Sequence, residues 1–201
     1  SATMGQTAVR LAQSGFTGPI DGLEPTCNGV LFDHFRPEDM VRELGRSWLL
    51  GEGYIKLYGC GRPVHAAIDA LRDALAGDPA AWPLPEEVER IELRGFRFLV
   101  FLNRTDIRNA FATRFSTPFA LASVLTHRSH GLECFTDAAA ADARIRALMG
   151  RIQMEEDAGF TAEFPGRQRC ELVLRLRDGR RLVGRCEVIR GEPANPADAR
   201  E

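Results

Sequence analysis

The sequence predicts an α+β domain in which a small antiparallel sheet carries its helices packed on one face, with a short helical extension at the N-terminus. Two observations carry this prediction. Apolar and polar residues alternate in the run Val88 to Arg94, and in Cys170 to Arg177 Leu172, Leu174 and Leu176 alternate against charged residues, which is the period of a strand with one buried face. Arg181 to Ile189 is expected to form the strand that follows. The segment Val64 to Leu75 instead places Val64, Ile68, Leu71 and Leu75 on one helical face, behind a proline at the first turn.

In chain order, Gln6 to Ser14 spaces Ala8, Leu11 and Ala12 as a short helix that Gly15 ends. Turn residues follow from Phe16 to Leu23, and Arg36-Pro37-Glu38-Asp39-Met40 is expected to open a helix through Leu44. The helix from Val64 is stopped by Gly77-Asp78-Pro79, and the proline-rich Trp82 to Pro85 leads to the first strand. Phe96 to Leu102 is expected to continue or pair with that strand. Ser116-Thr117-Pro118 is a cap followed by proline and predicts a helix through Leu125. An alanine-rich helix fits Asp137 to Met149, and a short strand fits Ile152 to Glu156. Asp178-Gly179-Arg180 between two alternating runs predicts a closing hairpin. The expected organisation is an N-terminal extension over 1–50, an α+β domain over 51–190 and a disordered or truncated tail over 191–201.

Composition narrows function by exclusion. The 201 residues are 44% hydrophobic, ordinary for a globular protein, and the net charge is −2 with no block of like charges. That balance speaks against nucleic acid or a membrane surface as partner, while leaving room for a small anion held by a local donor cluster. The five cysteines are widely spaced and contain no C-x-x-C pair, which disfavours a zinc ribbon, an iron–sulfur cluster and a disulfide scaffold. No metal or cofactor is expected. With no apolar run of membrane-spanning length and no signal-peptide pattern, a reducing cytoplasm is the expected compartment.

Twenty-five of the 26 basic residues are arginine, and the sole lysine, Lys56, stands among two glycines, Arg62 and His65 just ahead of a helix start. A stray solvated lysine is the plain alternative. The functional reading is that Gly59 and Gly61 let backbone approach a ligand, and that free N–H groups and the helix dipole meet a carboxylate. Lys56 would supply a compact point charge and Arg62 a fork. His65 falls in the first helical turn, where the dipole opposes protonation and leaves a neutral imidazole able to exchange a proton. Ser116 offers a hydroxyl at a second helix start, and equally an ordinary N-cap. Cys60 reads as a buried small side chain. His127 and His130 are expected to meet the last carbonyls of the preceding helix.

These residues resemble the C-terminal part of the MmgE/PrpD family, which includes 2-methylcitrate dehydratase, cis-aconitate decarboxylase and iminodisuccinate epimerase. The pieces that carry the resemblance are Ala12 to Glu24, Leu44-Gly45 with Trp48, Ile55 to Ala70, Val88 to Leu93, Arg114 to Ala122 and Asp178-Gly179-Arg180. Together they span roughly Val9 to Pro196. The resemblance implies a smaller α+β domain that closes over substrate beside a large all-helical domain, in an enzyme that is commonly a homodimer. It further implies elimination, decarboxylation or epimerisation of small polycarboxylates without a cofactor. By the same resemblance Lys56 and His65 belong to the substrate pocket. The expected roles, taken with the local reading of the residues, are substrate binding for Lys56, Arg62 and Ser116 and catalysis for His65. Gly59 stands where the family usually has proline, and Phe119 where tyrosine is common. The other class of function left open is a stand-alone carboxylate-binding or dimerisation module without catalysis.

Overall fold

The alternating runs and helix faces take shape in the computed structural model, which describes residues 2–76 and 82–198. Residues 1–50 and 51–201 form separate units. In the first, α1 (Ala2–Gln13) ends before Gly15, whose φ of 88° is the left-handed turn that glycine tolerates. The helix expected from Arg36 is only a 3-10 turn, Pro37–Met40, beyond the short α2 (Leu23–Thr26). Cys27 is the one buried side chain among the described residues of this unit, so Ile20, Val30, Trp48 and Leu50 remain exposed.

The second unit is a four-stranded sheet in the order β2-β1-β3-β4, with β1 Val88–Gly95, β2 Ile152–Glu156, β3 Cys170–Leu176 and β4 Arg181–Cys186. Ile91 and Leu93 on β1 pair with Leu174 and Leu172 on β3, and all four turn to the same buried face. The opposite face carries ion pairs between neighbouring strands, among them Arg175 with Glu92 at 3.1 Å and Arg185 with Glu171 at 3.0 Å. Gly179, at φ 90°, makes the turn from β3 to β4 as the Asp-Gly signal predicts.

One expectation about the sheet is corrected. It is mixed, because β1 and β2 run parallel, Ile91 opposite Ile152. A parallel pair needs a long crossover, and the helices between the two strands supply it. The first of them, α4 (Arg97–Phe101), replaces the expected strand continuation: Phe96 and Leu99, three apart, are both buried, while Phe98 and Phe101 are exposed. Next come α5 (Ala110–Thr113) and α6 (Thr117–His127). The alanine-rich segment divides into α7 (Asp137–Ala141) and α8 (Ala143–Met149). Asp142 breaks it with an extended backbone and accepts the Arg144 N–H, the preference of aspartate for caps over helix interiors. A short α9 (Ala158–Glu163) follows β2.

The helices lie on one face of the sheet. α3 (Arg62–Ala74) packs on β3 and β4 so closely that a Cβ at Gly184 would stand 2.0 Å from the Ala70 carbonyl oxygen. α6 packs against α3 and α8, and Phe119, Leu121 and Leu125 are fully buried. The expected stop at Gly77-Asp78-Pro79 lies outside the described residues, as do residues 199–201 of the expected tail. The described part of that tail differs from the expectation of disorder: the Gly191 N–H donates to the Asn195 carbonyl at 2.8 Å, and the Asn195 amide donates to the Val188 carbonyl at 2.8 Å. Among the described residues no helix is long and apolar enough to cross a membrane.

Candidate functional site

Pro63 fixes the first turn of α3, and the segment Gly53 to Gly61 leads into it. Lys56 is exposed and makes no hydrogen bond or ion pair among the described residues. Arg62 differs sharply. It is 8% exposed; its Nη2 donates to Glu192 Oε1 at 2.6 Å, its Nη1 lies 3.4 Å from the Arg190 carbonyl oxygen, and its guanidinium sits 4.2 Å from the centre of the Tyr54 ring. The fork expected to meet a ligand is thus committed within the domain.

His65 is fully buried, and neither ring nitrogen meets a hydrogen-bond partner. Its ring lies 4.8 Å from that of Tyr58. Burial pushes its pKa down to about 4, helped by the positive charge of Arg62, while the nearby Tyr58 and Cys60 backbone only moderates the shift. The imidazole is therefore neutral at physiological pH, as its place at a helix start suggests, with enclosure the main cause.

The two helix starts do converge. The Gly61 N–H donates to the Arg114 carbonyl at 2.7 Å, and Phe115 lies against Gly61. Ser116, however, is spent on structure: fully buried, its Oγ accepts the Phe119 N–H at 3.1 Å and donates to the Arg104 carbonyl at 2.5 Å. Gly59 is hemmed in by Leu132 and Phe135, each 3.1 Å from where a Cβ would stand. Phe119 is fully buried. Burial raises Cys60 to about 12, which makes it a poor nucleophile and fits its reading as a packed small side chain. His127 Nδ1 lies 2.9 Å from the Ser123 carbonyl oxygen, on its own helix.

Behind this site runs a network the sequence did not announce. Tyr58 donates its hydroxyl proton to Asp69, whose other oxygen accepts the Arg190 N–H at 2.8 Å, and Arg72 donates to the Tyr58 oxygen at 2.9 Å. Burial is the main cause that raises both Tyr58 and Asp69. Asp69 and Arg72 follow His65 at helical spacing, a weak signal, but their partners come from distant parts of the chain. Asp69 and Arg72 also border a cavity of about 690 Å³, with Trp82, His130, Arg185 and Asn195. Lys56, Arg62, His65 and Ser116 do not line it. Among the described residues no group of three or more histidine, cysteine or acidic side chains is placed to hold a metal ion.

No curated protein matches the chain. A family model does: that of the MmgE/PrpD C-terminal domain, over residues 58–201. The match includes Arg62, His65 and Ser116 and begins two residues beyond Lys56. It takes in the whole sheet and all the helices packed on it. The chain belongs to the MmgE/PrpD family, of which it carries the C-terminal domain.

Proposed function

We propose that this chain is the substrate-capping domain of an MmgE/PrpD-type lyase or isomerase that acts on small polycarboxylates. The supporting observation is the contrast among the four candidate residues: Arg62, His65 and Ser116 are enclosed, whereas Lys56 is exposed and unpaired among the described residues beside a helix start. An ammonium placed there pairs with a substrate carboxylate. When a proton leaves the adjacent carbon, negative charge spreads onto that carboxylate and the same ammonium stabilises it, so the contact strengthens as the reaction proceeds.

In this reading Arg62 supports the loop that carries Lys56, and Ser116 fixes the start of α6. His65 exchanges a proton with substrate only if the Tyr58–Gly61 segment moves aside, since its ring is enclosed. The remaining acid and base groups come from the all-helical domain that the family resemblance implies, in a homodimeric enzyme, and the isolated chain is inactive. Dehydration and epimerisation begin with loss of a proton from the carbon beside a carboxylate, and decarboxylation leaves comparable negative charge on carbon as CO2 departs before a proton is taken up. A site that stabilises that charge therefore serves any of the three. The non-catalytic alternative, a carboxylate-binding or dimerisation module, draws on the exposed Phe101, Phe111 and Leu132.

The test is Lys56→Ala in protein that includes the helical domain, with turnover of a hydroxylated tricarboxylate followed by the absorbance of the new double bond. Loss of rate on the order of 10²- to 10³-fold is expected, as for other donors aimed at developing charge. A wild-type rate in the variant would remove Lys56 from the site.

A further inference from the structure

The loop that carries Lys56 is held by the C-terminal turn of the same chain. The Ile55 N–H donates to the Gly191 carbonyl at 2.8 Å. The approach is close: a Cβ at Gly191 would stand 2.3 Å from the Ile55 carbonyl oxygen, and Gly191 adopts a φ of 89°. One residue before Ile55, the Tyr54 ring covers the guanidinium of Arg62, and one residue after Gly191, Glu192 grips that guanidinium at 2.6 Å. Lys56 is therefore framed by two contacts to one turn, a backbone hydrogen bond and a stacked ion pair. The turn is itself anchored, by Asn195 to the Val188 carbonyl and by the Arg190 N–H to Asp69.

We infer that Glu192 is a positioning residue that, through Arg62 and Tyr54, holds the Ile55–Lys56 segment in the geometry that presents the Lys56 ammonium. Its relevance to substrate rests on the reading of Lys56 as the carboxylate handle. The cause is the enclosure of Arg62. With Glu192 gone, a guanidinium only 8% exposed keeps the Tyr54 ring and a 3.4 Å approach to one carbonyl as its described contacts. A buried cation so poorly matched moves toward water, and Tyr54 loses the surface it stacks on. The Ile55 hydrogen bond then opens more often, and Lys56 samples more positions.

Because Lys56 is the only lysine, reductive methylation with carbon-13 formaldehyde gives one side-chain reporter in the 201-residue chain. Amide hydrogen exchange at Ile55 is compared in wild type, Glu192→Gln and Tyr54→Leu, with the α3 amides as the measure of global folding. Citrate affinity is then measured by titration calorimetry in wild type, Glu192→Gln, Tyr54→Leu and Lys56→Met, and the methyl-lysine signal follows the handle in the proteins that keep Lys56. Glu192→Gln is expected to speed Ile55 exchange about tenfold while α3 exchange stays at the wild-type rate, the pattern of a local opening. It is also expected to weaken citrate binding about fivefold, since a handle that is less often in place binds less often. Tyr54→Leu, which leaves the charges intact, moves both in the same direction.

Ile55 exchange at the wild-type rate in both variants overturns the positioning role. So does unchanged citrate affinity in Glu192→Gln when Lys56→Met abolishes that affinity. If Lys56→Met instead binds citrate as wild type does while Ile55 exchange responds to Glu192→Gln, the positioning of the loop stands and the carboxylate-handle reading fails.

Discussion

Acidification should destabilise this domain through His65. An ordinary imidazole titrates near 6.5, and in the fold it is held down at about 4, because the ring is enclosed between the start of α3 and Tyr58 and lies near Arg62. Between those two values the unfolded chain binds a proton that the folded chain refuses. The associated stability is fully present above pH 6.5 and is lost as the pH falls through 4. The whole gap corresponds to about 3 kcal/mol, of which about 2 kcal/mol is already lost at pH 5. Asp69 acts in the opposite sense: its raised carboxyl favours the folded state as the pH falls. A comparison of wild type with His65→Leu cancels that contribution and those of the surface carboxylates. Urea unfolding at pH 7 and pH 5, followed by the fluorescence of the buried Trp82 along with that of Trp48, should show the wild type losing about 2 kcal/mol more than the variant. At pH 7 the variant should cost little, because leucine removes two ring nitrogens that have no partner. Parallel losses in the two proteins, or an imidazole resonance of His65 that titrates near 6.5, would refute the reasoning.

Two further substitutions test the packing that carries the site. Gly184→Ala forces α3 away from β4, because backbone atoms of Ala70 and Ala74 lie 2.0 and 2.4 Å from the new Cβ; a loss of about 3 kcal/mol is expected, and an unchanged urea midpoint would contradict it. Ser116→Ala removes the cap of α6 and the donor to Arg104; about 1 kcal/mol should be lost, lowering Tm by about 3 °C, and calorimetry showing no shift would mean the cap is idle.

Local chemistry was legible where one stretch of chain decides the outcome. The alternation in Val88 to Arg94 and Cys170 to Arg177 places Ile91, Leu93, Leu172 and Leu174 on one face whichever strands they pair with. Pro63, Ser116 and Asp178-Gly179 fix two helix starts and a turn through backbone geometry alone. Partner choice was not legible, because the parallel pairing of β1 with β2 depends on how the intervening helices pack. Phe96 to Leu102 misled because a short apolar run suits a strand or a helical turn equally, and packing of Leu99 decides. In the site, Lys56 stood out by composition and His65 by its place in the helix. The commitment of Arg62 to Glu192 was hidden, since the two are 130 residues apart in the sequence and the polar, proline-containing tail gave no sign of its turn. The enclosure of His65 likewise depends on how Tyr58 packs against it.

The position of β1 at the centre of the sheet sets a timetable for synthesis. Ile91 finds its neighbours in Ile152 and Leu174, so when the strand leaves the ribosome neither edge can be satisfied by anything yet made. At ~5–20 residues per second both backbone edges of this apolar strand stand open for roughly 3 to 12 seconds, until Ile152 is made, and the edge that takes Leu174 for roughly 4 to 17 seconds. The nascent domain thus depends on its own crossover helices, or on a chaperone, to shield β1 until the hairpin that completes the sheet emerges.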